Sequence, residues 1–497
     1  MTASTTAGAA ALIREALEFY RDDPQAAQAL QGYARRLAEP LRIAIAGMVK
    51  AGKSTLLNAI IGEEIAPTDT GECTRIVTWY RHGHTPRITL HPITGEARNL
   101  PLKRVDGRLV FVLDGIPAEE VERLDVEWPA PTLQSMTLID TPGIASLSQD
   151  VSARSVRFLT PEDSPSEADA VIYLMRHMHA SDLRFLESFR DTGAGRSGTV
   201  NAIAVLSRAD EVGAGRIDSL LSAAGIAERY SRDPNLRKLA LGVVPVAGLL
   251  AQSARTLRQP DFAALQLLAT LDRAARERMM LSADRFRRSR EPEALTEEAR
   301  SSLLERYGLF GIRLAVVLIR NGYPEPTPLA HELTRRSGLD PLLDVLDRQF
   351  QARAEELKAR TALVAVSNLL DSRPRHGTER LAASLERLLV NAHEFRELRL
   401  LAALRTTEVE LAPELAAEAE QLIGGRGVPA YLRLGVAPDS GPDVLAGEAR
   451  RRLARWRRVA ESPLTARSAV EACRVVVRSC EGVLADCAGR DRQAQSA

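Results

Sequence analysis

Residues 47–54 read Gly-Met-Val-Lys-Ala-Gly-Lys-Ser, a complete G-x-x-x-x-G-K-[ST] pattern. Consecutive backbone N–H groups in such a loop, with the start of a following helix, cradle phosphate oxygens. The expected contacts are Gly47, Met48, Val49, Lys50, Ala51, Gly52, Lys53, Ser54 and Thr55. Lys53 is expected to reach the β- and γ-phosphates of a nucleoside triphosphate, and Ser54 to ligate Mg²⁺. Asp140-Thr141-Pro142-Gly143 follows an apolar run, with Asp140 placed to hold Mg²⁺ through water. Gly143, lacking a Cβ, can offer its N–H to the γ-phosphate. Ser207-Arg208-Ala209-Asp210 follows another apolar run. The Asp210 carboxylate can accept two hydrogen bonds from the N1–H and N2–H₂ edge of guanine, a donor pair adenine lacks. The Arg208 stem could pack on the base plane, although arginine and lysine are not equivalent there. Ala247, in Val246-Ala247-Gly248, stands where a last base-contacting turn belongs. Between the first two motifs runs Pro67-Thr68-Asp69-Thr70-Gly71-Glu72-Cys73-Thr74-Arg75. There Thr74, ahead of Thr68 and Thr70, is the expected switch residue touching Mg²⁺ and the γ-phosphate.

These residues need a scaffold that brings loop ends together. Apolar runs predict strands at 41–46, 74–80, 86–91, 121–127, 134–140, 169–176, 201–207 and 241–246. Helices are predicted at 53–61, 181–190, 214–229 and 247–257, with two more in 9–38 broken near Pro24. Strands alternating with helices imply a mostly parallel sheet covered on both faces. Beyond about residue 260 the strand signals vanish. The stripe Leu339, Leu342, Leu343, Leu346, Phe350, Leu357, Leu363, Val364 and Leu370 predicts one helix over 339–370. At 1.5 Å per residue it would span about 48 Å, which suits a stalk. Further helices are predicted at 379–404, 408–423, 444–460 and 464–488.

The chain has 497 residues, 45% of them hydrophobic, which suits two to four domains of roughly 100–200 residues. Its 66 basic and 65 acidic residues nearly cancel, so no global field argues for nucleic acid. No run approaches the roughly 18 apolar residues a spanning helix needs. The N-terminal stretch has no basic-then-apolar signal pattern. The expectation is a cytoplasmic protein touching a membrane only peripherally. Four cysteines lack C-x-x-C spacing; Cys473, Cys480 and Cys487 recur every seven residues, as buried positions on one helix face would.

Two stretches could meet lipid. Residues 450–458 place Arg450, Arg451, Arg452 and Arg455 beside Trp456, and such cations attract anionic headgroups by about 1 kcal/mol each. Residues 422–436 form a Gly-rich apolar loop carrying Arg426 and Arg433, which could insert shallowly.

In order and content, the Gly47–Thr55 loop, Thr74-Arg75, Asp140–Gly143 and Ser207–Asp210 resemble the dynamin superfamily in its bacterial branch. Leu41–Leu57, Ala66–Gly83, Ser207–Ser219 and Ser337–Lys358 carry a closer likeness to the mycobacterial isoniazid-inducible dynamin-like GTPases, particularly a shorter member of that group. The resemblance implies an α/β P-loop GTPase domain with an elongated all-α helical-bundle stalk. It divides the chain into N-terminal helices (1–39), a GTPase domain with a helical extension (40–330), and a stalk (331–497) with a membrane-contact tip. It further implies GTP/GDP and Mg²⁺ as ligands and a nucleotide cycle that drives self-association and membrane remodelling. The expected partners are another copy of the chain, a related dynamin-like protein, and an anionic membrane on the inner face of the plasma membrane. A GTP-gated scaffold that leaves lipid unchanged is the alternative. Eukaryotic dynamins carry a serine or glutamine that places the attacking water; here Val49 and Lys50 occupy those positions. Lys50, Lys53, Thr74 and Gly143 are therefore the expected catalytic set, with Lys50 lending positive charge to the transition state.

Overall fold

A computed structural model describes residues 5–68, 75–105, 107–143, 166–189, 200–406 and 408–494. The eight apolar runs form strands, and three short unpredicted ones, β4 to β6, lie between them: β1 (Leu41–Gly47), β2 (Val77–His82), β3 (Arg87–Pro92), β4 (Arg98–Leu100), β5 (Lys103–Val105), β6 (Arg108–Val110), β7 (Val121–Trp128), β8 (Met136–Asp140), β9 (Ala170–Met175), β10 (Ala202–Ser207) and β11 (Val243–Val246). Nine of them make one sheet in the order β11-β10-β9-β1-β8-β2-β7-β3-β4. β1 pairs parallel with β8 and β9, β9 with β10, and β10 with β11. Every residue of β9 and β10 is buried, as expected of strands covered on both faces. The other half is mixed. β2 runs antiparallel to β8 but parallel to β7, and β3 runs antiparallel to β7 and β4. The separate β5–β6 hairpin went unforeseen because its three-residue strands are charged and mostly exposed.

The helices gather into two further cores. One packs Phe262, Leu265, Leu303, Phe310, Leu329 and Leu333 against Leu206 and Leu250 at the β10–β11 end of the sheet. The other joins the two ends of the chain. Leu12, Ile13 and Ala16 of helix Thr5–Phe19 lie with Ala362, Leu363 and Val366 of helix Ala354–Ser372, and with Leu381, Leu401, Trp456 and Val476. Helix Pro24–Ala38 begins as its sequence dictates. Proline occupies the first turn, and the Asp23 carboxylate accepts the Ala26 N–H at 3.1 Å.

The predicted single helix over 339–370 is not straight. Helix Leu339–Val345 passes through a π-helical turn, Leu346–Phe350, and a 3₁₀ turn, Gln351–Arg353, before Ala354–Ser372. The stripe divides there. Leu339, Leu342, Leu346, Phe350 and Leu357 join the sheet core, whereas Leu363 and Leu370 join the helical core. A uniform period in the sequence hid a break because both cores want the same apolar side chains. Helix 379–404 likewise splits, at Ala392, whose ψ of 122° is extended.

The break is filled by the loop expected to reach lipid. Arg353 is buried and donates to Gln349 Oε1 at 2.8 Å, Gly424 O at 2.8 Å and Ile423 O at 3.1 Å. Gln349 Nε2 donates to Gly425 O at 2.9 Å, and the Val428 N–H to Arg348 O at 3.1 Å. Residues 422–425 are buried, so this segment is an interhelical connection and not an insertion loop; Arg426 is exposed at its edge. The glycines are there for close approach: a Cβ on Gly425 would sit 2.6 Å from Glu420 O. Next to it Arg433 grips Glu397 through two bonds of 2.6 and 3.0 Å, and Ser479 Oγ donates to Glu397 at 2.6 Å. Burial alone would raise the Glu397 carboxyl, but His393, Arg433 and Ser479 overcome it and hold it down at about 2. An unfolded glutamate titrates near ~4.3, so this stabilisation is complete above that pH and lost as the pH falls toward 2. It amounts to about 3 kcal/mol. Glu397→Gln should therefore lower stability at neutral pH and flatten the acid limb of a stability–pH curve; an unchanged acid limb would contradict the assignment.

The arginine-rich stretch turns its tryptophan inward. Trp456 is 0% exposed, inside the helical core, and cannot meet lipid in this conformation. Arg452 and Arg455 pair with Glu418 at 2.6 and 2.8 Å, and Arg451 with Glu448 at 2.7 Å. Arg450, Arg451, Arg455, Arg457 and Arg458 stay exposed on the same helix, Pro442–Glu461. Cys473, Cys480 and Cys487 are buried, and burial pushes the Cys480 thiol up to about 12. Among the described residues no helix is long and apolar enough to cross a membrane.

Candidate nucleotide site

The chemistry-bearing residues converge at the C-terminal ends of β1, β8, β10 and β11. In parallel sheets this edge is where ligands bind. β1 ends at Gly47, the loop crosses over, and helix Lys53–Ile61 starts at Lys53. Parallel pairing of Ile45 with Asp140 carries the second motif to the side of the first. Ser54 Oγ donates to Asp140 Oδ2 at 2.6 Å. Lys53 Nζ lies 3.4 Å from both the Gly47 and Met48 carbonyls. Burial lowers the Lys53 ammonium, while Asp140 opposes that. Burial raises the Asp140 carboxyl, and Lys53 and Ser54 oppose it. The buried Asp140 Oδ1 has no hydrogen-bond partner among the described residues. An unsatisfied carboxylate oxygen beside a serine hydroxyl is a hard-oxygen donor set of the kind Mg²⁺ takes, so the residues present fit that ion.

Gly143 touches the loop directly: a Cβ there would fall 2.5 Å from Val49 Cγ2 and 2.9 Å from its Cα. Any larger residue would drive the second motif off the first. Thr141 fixes the same crossing, its hydroxyl donating to Ile45 O at 2.9 Å. Val49 and Lys50 are exposed at the crest, and Lys50 holds a positive φ of 61°. That left-handed conformation costs a non-glycine residue of order 1 kcal/mol. Arg208 holds it in place by donating to Lys50 O at 3.1 Å. Glu211 in turn accepts from Arg208 at 2.6 Å and from Arg176 at 2.7 Å. Arg208 thus ties the base motif to the phosphate loop, a role its residue type did not reveal.

A cleft of about 150 Å³ adjoins the loop, lined in part by Gly52, Thr55, Ser207, Arg208, Asp210 and Gly248. Burial raises the Asp210 carboxyl. Ser207 reaches the cleft, though its hydroxyl donates to Met175 O at 3.3 Å. Ala247 does not hold its expected place. It is 0% exposed and its N–H donates to Ser337 O at 2.8 Å. Gly248 and Leu249 line the cleft instead. Residues 69–74, with Thr74, lie outside the described residues.

The family model described as "Dynamin family" matches residues 43–202. Isoniazid-induced protein IniC of Mycobacterium tuberculosis is 42% identical over 493 residues, covering 98% of this chain and 100% of that protein. Isoniazid-induced protein IniA of the same organism is 31% identical over 147 residues, 28% of this chain and 22% of its own length. A bacterial dynamin-like protein of Nostoc punctiforme is 29% identical over 163 residues, 30% of this chain and 22% of its own. A solved oligomerised bacterial dynamin pair, described as sensing and tethering membranes, gives a TM-score of 0.33 at 15% identity, over 99% of this chain and 78% of its own. A likeness to IniC running the length of both chains, laid over the phosphate loop and Asp140 motif, makes this chain a member of the bacterial dynamin-like GTPases.

Proposed function

We propose that this chain binds GTP with Mg²⁺, hydrolyses it, and couples that cycle to self-association and membrane binding. The observation that carries the reading is the Ser54–Asp140 contact beside Lys53, with the Asp210 cleft adjoining it. Lys53 would hold the β- and γ-phosphate oxygens. Ser54, Asp140 and Thr74 would hold Mg²⁺, which neutralises charge building on the phosphates. Water attacks the γ-phosphorus, the bond to the β–γ bridging oxygen breaks, and GDP and phosphate leave. The Gly143 N–H would receive the γ-phosphate. Lys50, exposed on the crest, would bring positive charge to the transition state, in place of a water-placing serine or glutamine. Asp210 would read the guanine edge. The test is hydrolysis of GTP against ATP, with and without Mg²⁺. Wild type should favour GTP and need the metal, and Asp210→Ala should erase the preference. Faster ATP hydrolysis would overturn the reading.

For the membrane, the Gly-rich loop and Trp456 give way to the turn between helices Pro442–Glu461 and Arg467–Ala494, which pack along each other. Leu464 in that turn is 95% exposed, the highest value for a large apolar side chain among the described residues, with exposed Arg457, Arg458 and Arg467 nearby in sequence. Leu464→Glu should abolish sedimentation with anionic liposomes while GTP hydrolysis in solution persists. Undiminished sedimentation would remove the turn from the account. No liposome binding by wild type would favour a GTP-gated scaffold for a related dynamin-like protein.

A further inference from the structure

We propose that the Ser337–Gly338 turn, some ninety residues beyond the base-contacting loop, is a positioning element of the base cleft. It sets the amides that open the helix beginning at Gly248, and not that of Ala247, as the donors to the purine 6-position. The proposal rests on the GTP reading above. Guanine carries an acceptor oxygen at position 6, where adenine carries an amino group, so a backbone donor there separates the two bases. Three amides are near enough in sequence to serve, those of Ala247, Gly248 and Leu249. The Ala247 N–H is committed to Ser337 O at 2.8 Å, and Ala247 does not line the cleft. Leu249 does line it, and so does Gly248, which opens helix Gly248–Arg255, where the first N–H groups have no partner within the helix. It also lies against the phosphate-loop helix: a Cβ on Gly248 would sit 3.8 Å from Thr55 Cγ2.

The turn that fixes this arrangement is itself tightly held. The Ser337 N–H donates to Leu333 O at 2.9 Å, its hydroxyl to Thr334 O at 2.6 Å, and the Leu339 N–H to Ser337 Oγ at 3.2 Å. Gly338 has φ +85°, and a Cβ there would stand 2.1 Å from Pro245 O and 3.4 Å from Val246 Cα. Only glycine lets the turn approach the end of β11 closely enough for Ser337 O to reach Ala247. The turn leads straight into helix Leu339–Val345 and the break at 346–353, so the base loop and the junction between the two cores share one anchored turn.

The test uses the full chain with Mg²⁺ and the probes GTP, ITP and ATP, each displacing a fluorescent GDP. Gly338→Ala should push the loop off its seat, and Ala247→Pro removes the same N–H without touching the turn. Each should weaken GTP and ITP about tenfold, the scale of one lost buried hydrogen bond, and leave ATP unchanged. The GTP-to-ITP ratio should hold, because those two differ only at the 2-amino group facing Asp210. Equal weakening of GTP and ATP would mean a merely structural role and would overturn the proposal, as would full GTP preference in both variants. If Gly338→Ala fails to fold, Ala247→Pro carries the same expectation. A wild type that does not prefer GTP over ATP would instead overturn the GTP reading beneath it.

Discussion

Lys53→Ala should cut affinity for GTP and GDP about a hundredfold or more while leaving the unfolding transition intact. The two effects separate because of where Lys53 sits. Its ammonium is buried beside Asp140, with long contacts of 3.4 Å to the Gly47 and Met48 carbonyls. Among the described residues these are weak partners for a desolvated cation, so removing it sacrifices little folding energy. A bound triphosphate converts it into a fully paired charge in a dry site. Truncating such a pair costs about 2–5 kcal/mol. Nucleotide titration alongside thermal unfolding checks both halves. A variant that binds GTP normally would remove Lys53 from the site, and one that unfolds would mean that Lys53 holds the loop together and not the ligand.

Arg353→Met should be the most destabilising single change outside the sheet, at about 3 kcal/mol or more. Methionine matches the length of the stem but leaves Ile423 O, Gly424 O and Gln349 Oε1 without their donor. Each buried acceptor so stranded costs about 1–3 kcal/mol. The opposing term is relief from burying a charge. Burial already pulls the guanidinium down to about 10, so that relief is real. It is one term against three buried acceptors, and the acceptors win. Denaturant unfolding followed at Trp456, in the helical core, and at Trp79, in the sheet, would show the helical core loosening first. Equal stability of variant and wild type would mean the socket relaxes and the break at 346–353 is not pinned by Arg353.

The fold's catalytic half was legible because its rules are local. A G-x-x-x-x-G-K-[ST] loop between an apolar run and a helix, then Asp-Thr-Pro-Gly after a second run, fix both the strand order near the site and the Ser54–Asp140 meeting. What escaped were facts about which surface covers which. Trp456 among arginines reads as a lipid anchor until helices from both ends of the chain are seen to bury it. Gly424, Gly425 and Gly427 read as a flexible tip, but they are small because Arg353, Glu420 and Leu432 press against them. Ala247 was assigned the base contact by position in the motif. Its competitor, Ser337 O, lies ninety residues away and is a backbone atom, so no side chain advertises it. One signal was available: Gly338 followed by Leu-Asp-Pro-Leu-Leu marks a sharp entry into a helix, and such a turn must rest on something.

The central claim is that the loop at 47–54, Asp140 and Asp210 together form a guanine-nucleotide site. Calorimetric titration of the full chain with GTP and with ATP, each in Mg²⁺, tests it most directly. The account predicts one site per chain, GTP binding at least about tenfold tighter than ATP, and loss of that margin when Asp210 becomes alanine, since each good polar contact to a base edge is worth about 1–3 kcal/mol. Equal affinity for the two nucleotides, or tighter binding of ATP, would contradict it.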